Sequence, residues 1–198
     1  MDRGFSPRSA VPALTAPNSL GYSWPEVGRL RITDETHATK VENSPVSFPF
    51  RLIPEAVRCA TCTDKRAILA ELAQGFASAY SLEDDVVLEA LREREALGST
   101  GFGRGVAMPH ARMDAIDQPL AMLLHLDQDV EFDAADGAPV RLVMGLVSPS
   151  DAGARHLHAL AAMSRLTRDE RVLHSLFEAQ SEEELFAIVA NADLRDAA

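Results

Sequence analysis

The chain has 198 residues, 46% of them hydrophobic and 25% charged, the make-up of an ordinary globular protein with room for one well-packed domain and an appendage. Its formal net charge is −11, and because the first fifty residues hold five basic and five acidic side chains, the whole excess falls on residues 51–198, which argues against a nucleic-acid partner. No apolar run approaches the roughly 18 residues of a membrane helix and no basic, then apolar, leader opens the chain, so no membrane insertion is expected and the chain reads as cytoplasmic.

Residues 1–49 are punctuated by Pro7, Pro12, Pro17, Pro25, Pro45 and Pro49 and show no sustained apolar period. Such a stretch buries too little to offset its chain entropy, which predicts a weakly ordered N-terminal extension ahead of a domain over residues 50–198. The pattern changes at Phe50-Arg51-Leu52-Ile53, a short strand candidate. Cys59 and Cys62 follow as a lone C-x-x-C. With no second pair and no suitably spaced histidines, this is at most half a zinc site. Two readings remain: a redox pair at a helix start, where the helix end lowers a thiol pKa, or two small, semi-buried residues leading into the helix.

Thr63-Asp64 is a polar helix start, and Ile68, Leu69, Leu72 and Phe76 recur at helical spacing over Lys65–Ala79. Ser81-x-x-Asp84 resembles a capping box for a second helix that runs to Leu97 and ends at Gly98. Three strands are expected at Val106–Met108, Leu120–Leu126 and Val140–Val147, the last a nearly continuous apolar run suited to a central, buried strand. Asp136-Gly137 marks the turn before it. Helices are expected at Gly153–Leu166, Asp169–Phe177 and Glu182–Val189, the last behind Ser181-x-x-Glu184. One strand, two helices, three strands and three helices predict an α/β (mixed α+β) fold, a mixed sheet with helices on both faces.

The densest feature lies directly behind the second helix, where Gly98, Gly101, Gly103 and Gly105 are interspersed with other residues. Glycines let a loop turn with positive φ and bring N–H groups to an anion, which makes Ser99, Thr100, Gly101, Gly103 and Gly105 anion-binding candidates. A tight connection without a ligand accounts for the same glycines. The string is not G-x-G-x-x-G and no Gly-Lys-Ser/Thr follows, so neither a dinucleotide fingerprint nor a P-loop is present. The apolar strand Val106–Met108 then runs into Pro109, which stiffens the exit, and delivers His110. An imidazole keeps one ring nitrogen unprotonated at neutral pH and can act as a nucleophile. A structural histidine is the alternative.

Residues 94–112 resemble the active-site segment of enzyme IIA domains of the fructose/mannitol type in bacterial phosphotransferase systems, and Leu97-Gly98-Ser99-Thr100-Gly101-x-Gly103 is most similar to the nitrogen-regulatory branch. The resemblance covers roughly residues 51–190, including Phe132-Asp133-Ala134-x-Asp136-Gly137-x-Pro139-Val140 and Ser181-x-Glu183-Glu184-Leu185. It implies that His110 takes a phosphoryl group on Nε2 from an HPr-type phosphocarrier protein. His156, just before Leu157, matches the family's second histidine, and Arg94 matches the arginine that helps hold the phosphate. A solvated arginine on the helix surface is the other reading of Arg94; an intrahelical ion pair is not, because Ala90, Leu91, Leu97 and Gly98 are not acidic. His158 lies about 200° further round a helix and cannot share the pocket of His156. Arg104 and Arg112 flank the site without matching a family position, and His37, His125 and His174 read as surface or filler residues.

The chemistry so implied is phosphoryl transfer between imidazoles, with the loop N–H groups, Arg94 and His156 stabilising charge and with no cofactor or metal. The onward partner would be a IIB component or a regulatory target protein. Three functions follow for comparison: a nitrogen-regulatory component, the IIA component of a sugar uptake system, and an interaction domain whose histidines stay unphosphorylated.

Overall fold

The computed structural model describes residues 48–114 and 116–196, the last four by backbone alone. The extension expected over residues 1–49 lies outside these as far as Ser47. A one-turn 3-10 helix at Pro54–Ala56 leads into β1 (Val57–Ala60), followed by α1 (Lys65–Tyr80) and α2 (Asp84–Ala96). Then come β2 (Gly101–Gly103), β3 (Val106–Ala107), β4 (His110–Met113), β5 (Leu120–Val130) and β6 (Val140–Pro149). Three helices close the chain, α3 (Gly153–Arg168), α4 (Glu170–Glu178) and α5 (Glu182–Asp196).

The two long strands form the centre of a mixed sheet. β5 and β6 pair antiparallel, with Leu123 opposite Met144, and β1 lies parallel beside β5. Along the other edge of β6 run β3 and then β4, both parallel to it, with β2 antiparallel beyond β3. Side chains alternate between faces of a strand. Met122, Leu124 and Leu126 of β5 and Val143 and Val147 of β6 therefore join the core with α1 and α2. Their neighbours Ala121, Leu123, Leu142, Met144 and Leu146 join a second core with α3, α4 and α5. Helices on both faces explain why these strands read as unbroken apolar runs, each fully buried leucine contributing roughly 1.5–3 kcal/mol. Two glycines let α1 settle on the sheet: a Cβ on Gly145 would stand 2.8 Å from Leu72, and one on Gly75 would stand 1.8 Å from Met122.

The expected blocks are present in the expected order, but the middle block has five strands where three were expected. The extra ones, β2 and β4, are three and four residues long and too short to show a period. The first strand is Val57–Ala60; within the earlier candidate, Arg51 makes only an isolated bridge to Leu120. Asp64 does open α1, its carboxylate accepting from the Ala67 N–H at 2.8 Å. Ser81, by contrast, closes α1 in the left-handed conformation (φ 58°), and Glu83 precedes α2 with no side-chain cap. Ser181 behaves as its pattern predicts: its hydroxyl accepts from the Glu184 N–H at 3.2 Å, and the Glu184 carboxylate returns to the Gln180 N–H at 2.9 Å. Among the described residues no helix is long and apolar enough to cross a membrane.

Candidate functional site

Residues 106–113 run along one edge of β6 as two strands separated at Met108-Pro109. Proline has no N–H to give, and its carbonyl instead accepts from the Leu146 N–H at 2.9 Å. His110 comes next, in register with Leu146. Ala111 and Met113 belong to the core with α1 and α2, so His110 and Arg112 share the opposite face of β4. There β6 ends at Pro149 and α3 begins at Gly153, which brings His156 in the first turn of α3 beside His110. The two ring centroids are 5.5 Å apart and the planes are inclined by 50°.

The partners of His110 settle where its proton sits. Arg94, in the last turn of α2, donates its Nε–H to His110 Nε2 at 3.0 Å, and a guanidinium has no acceptor, so Nε2 must be the unprotonated nitrogen. The proton is therefore on Nδ1, which donates to the Met108 carbonyl at 2.9 Å. Burial pushes the His110 pKa below the ordinary histidine value, helped by Arg94 and Arg112 and opposed by the Met108 hydrogen bond and Glu95. His156 is 5% exposed and shares a 3.0 Å hydrogen bond between Nδ1 and the Ser148 hydroxyl. Burial first, then the charge that His110 takes on in acid, and the charges of Arg112 and Arg94, push its pKa down to about 4. Both rings are neutral at pH 7, and the Nε2 lone pair of His110 points to a cation.

Arg94, His110, Arg112 and His156 line one open hollow of about 630 Å³, together with Glu93, Leu97, Leu157 and Leu160. Leu97 is 85% and Leu157 60% exposed, an apolar rim around a cationic floor. Ser99, Thr100 and Gly101 line an adjoining hollow that also reaches His110. Several of their donors are engaged: the Glu95 carboxylate accepts from the Thr100 N–H, the Ser99 hydroxyl accepts from the Gly101 N–H at 3.1 Å, and that hydroxyl itself donates to the Phe132 carbonyl at 2.8 Å. Gly101 is required sterically, since a Cβ there would stand 2.5 Å from the Ala134 backbone. Gly103 (φ +95°) and Gly105 (φ +77°) line neither hollow; they form a turn packed against Asp136 and Phe177, with the intervening Arg104 N–H on the Asp136 carboxylate at 2.8 Å. For these two the ligand-free turn is what the geometry supports. Among the described residues no group of three His, Cys, Asp or Glu side chains could hold a metal ion.

His158 and His174 are exposed, whereas His125 is buried and its Nε2 has no hydrogen-bond partner. The filler reading therefore fits His125 and the surface reading His174, while His37 lies outside the described residues. The resemblance assigns no role to Arg112, although the two-residue strand period places it on the face of His110. Ser148, a lone hydroxyl in the apolar run of β6, gave a similar signal. Leu157 stood out only as a leucine beside a histidine.

Fold and site together define a three-layer, mixed-sheet domain that presents a neutral histidine with its lone pair toward an arginine. The chain belongs to the phosphoenolpyruvate-dependent sugar phosphotransferase system EIIA 2 family, whose model matches residues 53–192. Among its relatives is a nitrogen regulatory protein of Bradyrhizobium diazoefficiens, 36% identical over 138 residues that cover 69% of this chain and 90% of that protein. The fructose-specific EIIA component of Haloferax volcanii is 36% identical over 106 residues, covering 54% of this chain and 69% of that protein. Nitrogen regulatory protein IIA-Ntr from Neisseria meningitidis has a similar structure, with a TM-score of 0.65, 33% identity and coverage of 69% of this chain and 94% of that one. The mannitol IIA of Escherichia coli, 20% identical with a TM-score of 0.60 and coverage of 71% and 99%, shares the fold.

Proposed function

We propose that this protein carries a phosphoryl group on His110 Nε2, received from the phosphohistidine of an HPr-type carrier, and that it serves as a nitrogen-regulatory component. The observation that supports this most is the setting of His110, with its proton held on the Met108 carbonyl and its lone pair exposed to Arg94. In the transfer, the Nε2 lone pair attacks the carrier's phosphorus in line and forms the new N–P bond. The old N–P bond breaks with its electron pair going to the carrier's imidazole. His110 keeps its Nδ1 proton on Met108, and the ring's new positive charge is offset by the phosphoryl oxygens. Arg94 turns from the lone pair to those oxygens, where a two-pronged guanidinium fits best. His156 and Arg112 add donors on the α3 side. The hollow is far larger than one phosphoryl group, which suits a donor brought on the surface of another protein.

The regulatory reading draws on the nitrogen regulatory relatives, which this chain matches over most of their length. The fructose-specific relative favours a second reading, the IIA component of a sugar system. In that case phosphate passes on to a IIB component, and the mannitol neighbour has been solved in complex with a phosphorylated enzyme IIB.

The deciding experiment incubates the full chain with phosphoenolpyruvate, enzyme I and a carrier, and follows the label by intact mass. The wild type is expected to gain one acid-labile, base-stable phosphoryl group and His110→Ala none. Undiminished labelling of the variant moves the site elsewhere. Partner capture with wild type, His110→Ala and phosphorylated protein separates the two readings, because a regulator needs partner affinity that depends on the phosphoryl group.

A further inference from the structure

Arg94 is followed directly by a buried acid whose work lies outside the hollow. The Glu95 side chain is 7% exposed, and a charge so buried is retained only when it is paired. Its cation is Lys65, the first residue of α1, whose Nζ lies 2.8 Å from Glu95 Oε1 and 3.0 Å from Asp133, over the face of Phe132. Lys65 is one of two lysines in a chain that otherwise uses arginine. The Glu95 carboxylate then takes both donors of Thr100, the N–H at 3.0 Å and the hydroxyl at 2.5 Å.

From Thr100 the chain of hydrogen bonds runs straight to the nucleophile. The Thr100 carbonyl accepts from the Met108 N–H at 2.9 Å, and the Met108 carbonyl accepts from His110 Nδ1 at 2.9 Å. One helix end thus reaches His110 from both sides: Arg94 holds Nε2, while Glu95 holds Thr100, which holds the Met108 N–H, and the carbonyl of Met108 holds Nδ1.

We propose that Glu95, charge-balanced by Lys65, is a positioning residue that fixes the Nδ1–H tautomer of His110 by locking Thr100 and, through it, the Met108 carbonyl. Its significance rests on the reading of His110 as a phosphoryl acceptor, since the tautomer decides whether Nε2 can attack. Without the lock, the Met108 carbonyl drifts from Nδ1, Arg94 alone is left to favour an unprotonated Nε2, and the proton spends part of its time on Nε2 whenever Arg94 turns away. A ring protonated on Nε2 has no lone pair there. Glu95 touches no reacting atom in this scheme.

The test compares full-length wild type, Glu95→Ala, Glu95→Gln and Lys65→Met by nitrogen-15 NMR of the His110 ring and by the rate of transfer from phosphorylated carrier. Wild type is expected to show a protonated Nδ1 and an unprotonated Nε2. Glu95→Ala should show mixed tautomers and slow transfer by on the order of 10- to 100-fold, the scale of a small misplacement of a reacting group. Glu95→Gln keeps an oxygen for Thr100, so it should recover the wild-type ring signals and most of the rate. Lys65→Met, which leaves every Glu95 oxygen in place, should shift the tautomer balance in the same direction by less, and it serves if Glu95→Ala does not fold. Wild-type ring signals in folded Glu95→Ala or Lys65→Met overturn the proposal, whatever the rates. So does a Gln variant that behaves like Ala. If the wild type accepts no phosphate at all, the function assigned to His110 falls, while the ring signals still decide what Glu95 does.

Discussion

The His110 hollow and the Cys59–Cys62 segment both place a candidate nucleophile beside a strand end, and burial acts on the two in opposite ways. Burial disfavours the charged form of any group. For an imidazole the charged form is the unreactive one, so burial and the nearby guanidiniums leave His110 neutral with a lone pair to use. For a thiol the charged form is the reactive one. Burial raises the Cys59 pKa, helped by Glu182 and Glu183, and pushes Cys62 up to about 11, helped by Glu71, Asp127 and Asp64. Asp64 is also the residue that caps α1, so the helix start that was to activate a thiol instead brings a carboxylate to it. Both cysteines are free, and the environment favours the bland reading of the C-x-x-C over the redox one. The residue type nominates a site, and the charges around it decide whether the chemistry runs.

The sharpest way to break this contrast is to strip the charge stabilisers from the hollow. Arg94→Ala is expected to slow phosphoryl acceptance by about 100-fold, the scale of losing one preorganised donor, and His156→Ala by less. Rapid-quench labelling measures both, and wild-type rates in either variant would remove that residue from the transfer. His110→Ala remains the zero reference.

A smaller effect reads the lowered histidine pKa values through stability. The unfolded chain takes up protons on His156 near pH 6.5, whereas the folded chain resists until about pH 4. Between those values the unfolded state binds more protons, so stability is full above pH 6.5 and is lost as pH falls through the window, by at most about 1.4 kcal/mol per pH unit per histidine. His110 adds a loss of the same sign. Urea unfolding at pH 7 and pH 5 should show the wild type losing more stability than His156→Gln. Equal losses would mean that His156 is not held neutral by the fold.

The smallest expected effect is at the cysteines. Cys59→Ser, at an exposed position, should change stability by no more than about 0.5 kcal/mol and leave phosphoryl acceptance unaltered. Thiol alkylation of the wild type at pH 7 should be slow at both positions. Rapid labelling of either would reverse the comparison and reopen the redox reading.

Much of this protein is written in local patterns. The 3.6-residue recurrence of Ile68, Leu72 and Phe76 determined α1, and the apolar runs at Leu120 and Val140 determined the two central strands, because a strand covered on both faces has no polar side to show. Arg94, Ser99-Thr100-Gly101 and His110 lie within seventeen consecutive residues, so a local motif could nominate them together. Tertiary structure decided the rest. Short edge strands such as β4 exist only through their partner β6, and Ser81 could be told from a helix opener only by its left-handed backbone. The Glu95 anchor came from Lys65 thirty residues earlier, and the Ser148 hydroxyl that orients His156 came from another element. The His110 tautomer was beyond the sequence for the same reason: it depends on which donor and acceptor stand within 3 Å of each nitrogen, and distance in space between residues of different elements is set by packing, which no periodicity along the chain encodes.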